Sequence, residues 1–375
     1  MTDAAREDAP VAEIAARRDA LTGRLAADEA VLVYGLSGHA ADLLYVSGYA
    51  PVFGAAYLLL LPSGPRARLW VPFNWDVARA RRAARGVDVP AADGTGAEVC
   101  RAVAAAGVRR LHAGPAETLP VAFTEAQRAA APGIEIRPLA PGIDVLRRRK
   151  SAAEIALLRE ACRITDAGFT AIAAGPAAGR REIDLAAEAE FAMRTAGAEA
   201  FGWPAVVVSG PNGGIPVAFT GTRALERGDI VTADLGVVYR GYRTDLTRSF
   251  VVGPPSQAQQ RLYDLLRRAF AAAVAAARPG IPVRRLHEAV AGAIAGAGYG
   301  GAFGVRAGHG IGLESSQEWP DVETETGALE PGMTLCLEPG VYFGERGGMR
   351  VEEEILITET GCEPLSGEPP ALRAI

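Results

Sequence analysis

One order of local signals runs through this chain twice. Ser151-Ala-Ala-Glu154 is a capping box, in which two residues satisfy each other's free backbone N–H at a helix start. Apolar residues then return at Ile155, Leu158, Cys162, Phe169 and Ile172, the spacing of one helix face. A second helix, "IDLAAEAEFAMRTAG", stops on a glycine. A strand, "PAVVVSG", and a long hairpin, "GDIVTADLGVVYRGYRTDLTRSFVVG", follow. Ser256 and Gln259 form another capping box, 105 residues after the first. "VRRLHEAVAGAIAGAG" is then the second helix, "AFGVRAG" a strand, and "MTLCLEPGVYF…GGMRVEEEILIT" a hairpin. This order predicts two similar halves facing each other over residues 149–375. Hairpins covered by helices on one side make an α+β architecture.

The acidic residues sit awkwardly for such hairpins. With the first turn between Tyr239 and Arg240, Asp234 lies directly opposite Asp245. In the second hairpin, Glu338 and Glu352 are equidistant from Glu345. Opposed side chains have Cβ atoms about 4.5–5.5 Å apart, and like charges there destabilise a sheet. Aspartate is also a poor strand former. Two facing hairpins bring four carboxylates together, a charge that two divalent cations match. His309, in "GHGIGLESSQEWP" just ahead of the second hairpin, is the nitrogen donor this arrangement calls for. Carboxylate with imidazole suits Mn, Fe, Co or Zn. Taken singly, each residue has a plainer reading. A strand aspartate usually faces solvent, and a glycine-flanked histidine often sits in a tight turn. The pairing in both halves is what sets the metal reading against these. The glycines beside His309 are expected to let its backbone pass close to the metals. Cys336, two residues before Glu338, shares its strand face, with packing as its expected role.

Residues 1–148 read as a separate α/β domain, with strands at "AVLVYG", "AYLLLLP" and "RARLWVP" and helices at "DVARARRAAR" and "GAEVCRAVAAAG". The chain's 375 residues are too many for one ordinary core, which also favours two domains. Its hydrophobic and charged fractions, 49% and 22%, are those of a globular protein. A net charge of −5 gives no pull toward nucleic acid or anionic membrane, so neither is expected as a partner. The longest apolar run is too short to span a bilayer. Four cysteines without a CxxC pair and no secretory signal point to a cytoplasmic setting.

"GDIVTADLGVVYRGYRTDLTRSF", "GHGIGLES…EWP", "LEPGMTLCLEPGVY" and "GGMRVEEEILIT" together resemble the pita-bread metallopeptidase family. That family includes aminopeptidase P, Xaa-Pro dipeptidase (prolidase), methionine aminopeptidase and creatinase. "ADLLYVSGY" and "RRRKSAAEIALLREACRITDAG" resemble the N-terminal domain and first catalytic helix of its Xaa-Pro members. The likeness implies a pita-bread catalytic domain at 149–375, with pseudo-twofold halves, behind a creatinase/prolidase-like domain at 1–148. It implies that Asp234, Asp245, His309, Glu338 and Glu352 hold two divalent ions, Mn²⁺ first, with Co²⁺, Zn²⁺ or Fe²⁺ as alternatives. Glu338 is then also the general base and acid, and Arg350 orients the carboxylates. Glu353 and Glu354 fall outside the motif and are expected to be surface or hairpin residues. A homodimer acting on a small peptide is implied, with a bridging hydroxide attacking an amide C–N bond.

Two positions depart from the family pattern. Xaa-Pro members usually carry histidines where this chain has Val217 and Ser316. Valine cannot donate a proton, and serine is a poor acid at neutral pH. These replacements open a second reading, a non-peptide enzyme on the same fold. Creatinase, ectoine hydrolase and dimethylsulfoniopropionate lyase are such relatives, acting on small molecules as C–N hydrolases or lyases. A third reading is a non-catalytic binding protein, against which the complete ligand set argues.

Overall fold

The computed structural model describes residues 11–62, 66–91, 96–304, 306–314, 318–367 and 371–375. The chain divides into two compact units, residues 1–147 and 148–375. The first contains α1 (Val11–Thr22), α2 (Ala41–Ser47), α3 (Val77–Ala83), α4 (Gly96–Ala105), α5 (Val121–Ala130) and α6 (Ile143–Arg147). Its strands are β1 (Glu29–Leu36), β2 (Ala55–Leu60), β3 (Ala67–Trp70), β4 (Arg110–Gly114) and β5 (Glu135–Pro138). They form one mixed sheet in the order β3-β2-β1-β4-β5. The central strand β1 pairs antiparallel with β2 and parallel with β4. Residues 30–35 of β1 are all buried, so its sequence is an unbroken apolar run rather than an alternating one.

The second unit shows the expected duplication. The first half runs through α7 (Ala152–Ile172), α8 (Glu182–Ala196), β6 (Ala200–Phe201), β7 (Val206–Ser209), β8 (Ile230–Leu235), β9 (Val237–Tyr239), β10 (Tyr242–Arg243) and β11 (Leu246–Val251). The second half runs through α9 (Gln257–Ala276), α10 (Arg284–Gly296), β12 (Gly308–Gly310), β13 (Glu318–Asp321), β14 (Thr334–Leu337), β15 (Gly340–Tyr342), β16 (Gly348–Arg350) and β17 (Glu353–Ile357). Both capping boxes are formed, at Ser151 with Glu154 and at Ser256 with Gln259. Each such cap is worth about 1 kcal/mol. The strand expected over "AFGVRAG" is shorter and later, at Gly308–Gly310. Glycine-rich sequence packs too little side chain to extend it.

Alternation along β14 and β17 decides what faces where. Leu335, Leu337, Ile355 and Ile357 join the core that α9 and α10 cover through Leu266, Leu286, Val290 and Ile294. Burying each such side chain contributes about 1.5–3 kcal/mol. With a period of two, Cys336, Glu352 and Glu354 turn to the opposite face, toward the first half. The two halves meet there in an antiparallel bridge between Thr247 and Glu352.

The two hairpins differ in how well their registers match expectation. In the second, Leu337 pairs with Glu353 and Gly340 with Arg350, so the register is centred on Glu345 as expected. In the first, Tyr239 pairs with Tyr242, and the turn is Arg240-Gly241. Both turn residues have positive φ, 51° and 87°, as a two-residue type I′ turn requires. The turn is thus centred after Arg240 and not before it. Asp234 therefore pairs with Thr247, not Asp245. Asp245 falls between β10 and β11, outside both ladders. The corrected register still puts both aspartates on one face, as diagonal rather than direct neighbours.

Candidate metal centre

The expected ligands stand within strands or directly beside them. Asp234 is the fifth residue of β8, Asp245 precedes β11, and His309 is the middle of β12. Glu338 follows β14 and Glu352 precedes β17. His309 Nε2 lies 3.4 Å from Asp245 Oδ2 and 3.9 Å from Glu338 Oε1. Arg350 pairs with Asp234 and lies 3.9 Å from Glu352 Oε2. Donor atoms of Asp245, His309, Cys336 and Glu352 all lie within 4.8 Å of one another. The structure thus brings the five positions together, although no ladder pairs them directly.

The glycines beside His309 are required by close backbone packing. A Cβ on Gly308 would stand 2.0 Å from the Cys336 carbonyl oxygen. On Gly310 it would stand 2.1 Å from the Trp319 carbonyl oxygen. β12 is squeezed between β14 and β13, and only glycine fits on either side of the histidine. His309 Nδ1 is 2.8 Å from the Gly310 carbonyl oxygen. A carbonyl only accepts, so Nδ1 carries a proton, and Nε2 is the ring atom that faces the carboxylates.

The electrostatics show an excess of negative charge. Burial, then Glu352, pushes Glu338 up to about 8, against the pull of His309 and Arg350. Burial also raises Asp234 to about 6, with Arg350 opposing and Glu352 adding. Asp234 Oδ1 is buried without a hydrogen-bond partner among the described residues. Arg350 donates to Thr247 Oγ1 at 3.0 Å, Pro216 O at 3.1 Å and Tyr342 Oη at 3.2 Å as well as to Asp234. Thr247 Oγ1 in turn donates to Glu352 Oε2 at 2.7 Å. An orphaned carboxylate oxygen, crowded acids and an imidazole nitrogen aimed among them fit divalent cations.

The cluster floors a pocket of about 490 Å³. Trp203, Ile215, Pro216, Val217 and Phe219 give it an apolar wall. Val217 is 73% exposed there and has no polar group to offer. Ser316, the other departing position, lies outside the described residues. Arg306 also lines the pocket, bonded to Asp321 at 2.8 Å, with its Nε 4.0 Å from Glu338.

Glu353 and Glu354 are hairpin residues in β17, as expected, but the surface alternative is corrected, because neither is exposed at all. β17 lies between β14 and its neighbour Cys362–Pro364, so both of its edges are paired. Glu353 pairs with buried Arg248 at 2.8 Å. Glu354 accepts the Asp245 backbone N–H at 2.8 Å. Thr247 and Tyr342 also escaped the sequence reading. Thr247 could have been found by its place two residues after Asp245, on the same strand face.

The chain as a whole is similar to known proteins in sequence and fold. The chain is 33% identical over 327 residues to the Xaa-Pro dipeptidase of Pyrococcus horikoshii, covering 87% of this chain and 90% of that one. Identity to the Pyrococcus furiosus Xaa-Pro dipeptidase is 31% over the same shares. Among solved structures, the Xaa-Pro dipeptidase from Bacillus anthracis superposes with a TM-score of 0.86 at 30% identity, over 97% of this chain and all of that one. The Pyrococcus horikoshii prolidase superposes with a TM-score of 0.85 at 30% identity, over 96% of this chain and all of that one. The sequence model of metallopeptidase family M24 matches residues 156–359, more than half the chain and all five clustered positions. A match of that extent, with relatives alike along nearly their whole length, places the chain in metallopeptidase family M24: it is a metal-dependent hydrolase of the pita-bread fold.

Proposed function

We propose that this protein is a dinuclear Xaa-Pro-type peptidase that cleaves an amide C–N bond of a small peptide. The observation that carries the reading is the buried cluster of His309 with four carboxylates at the floor of the pocket. Asp234, Asp245, Glu338 and Glu352 against Arg350 leave three net negative charges. One divalent cation leaves the set negative, whereas two leave one positive charge for an anion or a substrate oxygen. Held by Asp234, Asp245, His309, Glu338 and Glu352, such ions would lower the pKa of a bound water and polarise a carbonyl. Glu338, held on the pocket floor, takes a proton from the attacking water and returns it to the leaving nitrogen. Arg350 and Thr247 hold Asp234 and Glu352 in place through this transfer. The Trp203–Phe219 wall excludes water and receives an apolar side chain or ring. Arg306 offers a cation to a substrate carboxylate.

The same reading takes Mn²⁺ as the native ion, residues 1–148 as a creatinase/prolidase-like domain, and a homodimer in the cytoplasm. Among the described residues no helix is long and apolar enough to cross a membrane.

Val217 favours a second reading, a specialised small-molecule C–N hydrolase or lyase. An exposed valine on the pocket wall cannot do the work of the histidine common in Xaa-Pro members. A panel of Xaa-Pro dipeptides and tripeptides with Mn²⁺ or Co²⁺ separates the two. Turnover supports the peptidase; intact metal binding without turnover supports the small-molecule enzyme. Replacing Val217→His and Ser316→His together should raise peptide kcat by about 10²–10³, the scale of one oxyanion donor. Unchanged turnover would mean that these positions do something else.

A further inference from the structure

Asp245 lacks the ladder partners that hold a strand residue in place, yet it is 7% exposed and stands among the proposed ligands. Its peptide groups are gripped by side chains instead. Its N–H donates to Glu354 Oε1 at 2.8 Å. Its carbonyl oxygen lies 3.6 Å from Cys336 Sγ, which donates to it. Cys336 and Glu354 are directly paired across β14 and β17, so they reach toward Asp245 side by side. Behind them, Cys162 of α7 donates to Glu354 Oε2 at 3.5 Å and fixes the rotamer of that carboxyl. Glu354, Cys336 and Cys162 are all at most 1% exposed. Asp245 belongs to the first half of the unit, and Glu354 and Cys336 belong to the second.

We propose that Glu354 and Cys336, backed by Cys162, form a positioning clamp that sets the backbone of Asp245 and so locks the two halves of the metal centre in register. The clamp rests on the reading of Asp245 as a metal ligand. A buried acid so near a ligand needs a purpose, because an isolated acid there costs stability. Here its acceptor oxygen meets a backbone N–H that no strand satisfies. The thiol plays the matching part for the carbonyl. Neither residue needs to touch the metal to set its affinity, since groups that orient ligands commonly change it 10- to 100-fold.

The test is a titration of the full chain with Co²⁺, following visible absorption and dissociation constants, with urea midpoints as the check on folding. Glu354→Gln keeps an acceptor oxygen and should bind within about 3-fold of wild type, with the same spectrum. Glu354→Leu removes it and should bind about 10- to 100-fold more weakly, with shifted bands. Cys336→Ser should stay near wild type while Cys336→Val weakens binding, which keeps the test open if Glu354→Leu does not fold. A folded Glu354→Leu, or in its absence a folded Cys336→Val, with wild-type affinity and spectrum overturns the clamp alone. A wild-type chain that binds no Co²⁺ overturns the metal centre itself, and the clamp with it.

Discussion

Removing divalent cations should reverse the sign of this protein's response to pH. In the metal-free chain Glu338 titrates at about 8 and Asp234 at about 6, both raised first by burial. Glu353 behaves alike at about 7, raised by burial against the pull of Arg248. In an unfolded chain such carboxyls titrate near 4. Between those values the folded chain holds protons that the unfolded chain has lost. The stability these groups contribute is therefore fully present below about pH 4 and is lost as pH rises through 6, 7 and 8. Each tenfold gain in proton affinity on folding contributes about 1.4 kcal/mol, so Glu338 alone is worth on the order of 5 kcal/mol. Glu338 and Asp234 share Glu352 as a neighbour, so their effects do not simply add. Carboxylates held low by arginine, such as Glu135 and Asp184, titrate below this window and leave its slope alone. Metal reverses the picture. Ligands must lose their protons to bind, so affinity rises with pH. A cation at 100 times its Kd adds about 2.7 kcal/mol. Urea unfolding at pH 5.5, 7.0 and 8.5, with EDTA and with Mn²⁺, reads both slopes. Glu338→Gln should flatten the EDTA slope. EDTA-treated protein whose stability is flat or rising across that range would show that Glu338, Asp234 and Glu353 do not hold raised pKa values in the folded chain.

Other perturbations test particular contacts. Arg350→Met should destabilise the metal-free protein by about 3–5 kcal/mol in urea unfolding, because Asp234 keeps its burial and loses its partner. Arg350→Lys should recover little of that, since a point charge cannot serve Asp234, Thr247, Tyr342 and Pro216 at once. Gly310→Ala should weaken Co²⁺ binding more than about 10-fold by displacing His309, because its Cβ would strike the Trp319 carbonyl at 2.1 Å. Arg306→Gln should raise KM about 10-fold for a dipeptide with a free carboxylate, a loss of about 1.4 kcal/mol, and leave its amide unchanged; a change shared by both would place Arg306 elsewhere in the reaction.

Much of the catalytic unit is legible in the sequence because its signals are local. Capping boxes and apolar periodicity mark both helix pairs, and symmetry about Glu345 gives the register of the second hairpin. The first hairpin departs from expectation by one residue at its centre. Its turn depends on Arg240 adopting positive φ, a conformation few non-glycine residues take. Arg240-Gly241 carries the glycine that a type I′ turn wants second, which is the available clue. Glu353 and Glu354 depart for a different reason. A run of glutamates ordinarily marks solvent, and their partners lie far away in sequence. Arg248 is 105 residues from Glu353, and Asp245 is 109 from Glu354. Only the packing of one half on the other brings them together. The glycines around His309 are necessary, and what demands them is the close approach of the neighbouring strands.

We propose that Asp234, Asp245, His309, Glu338 and Glu352 together hold two divalent ions. Metal content per chain, measured after saturation with Mn²⁺ and removal of excess, tests it most directly. Two ions are expected in the wild type, with a loss of at least one in Asp245→Asn and in Glu352→Gln. One ion or none in a folded wild-type chain, or two in both variants, would contradict it.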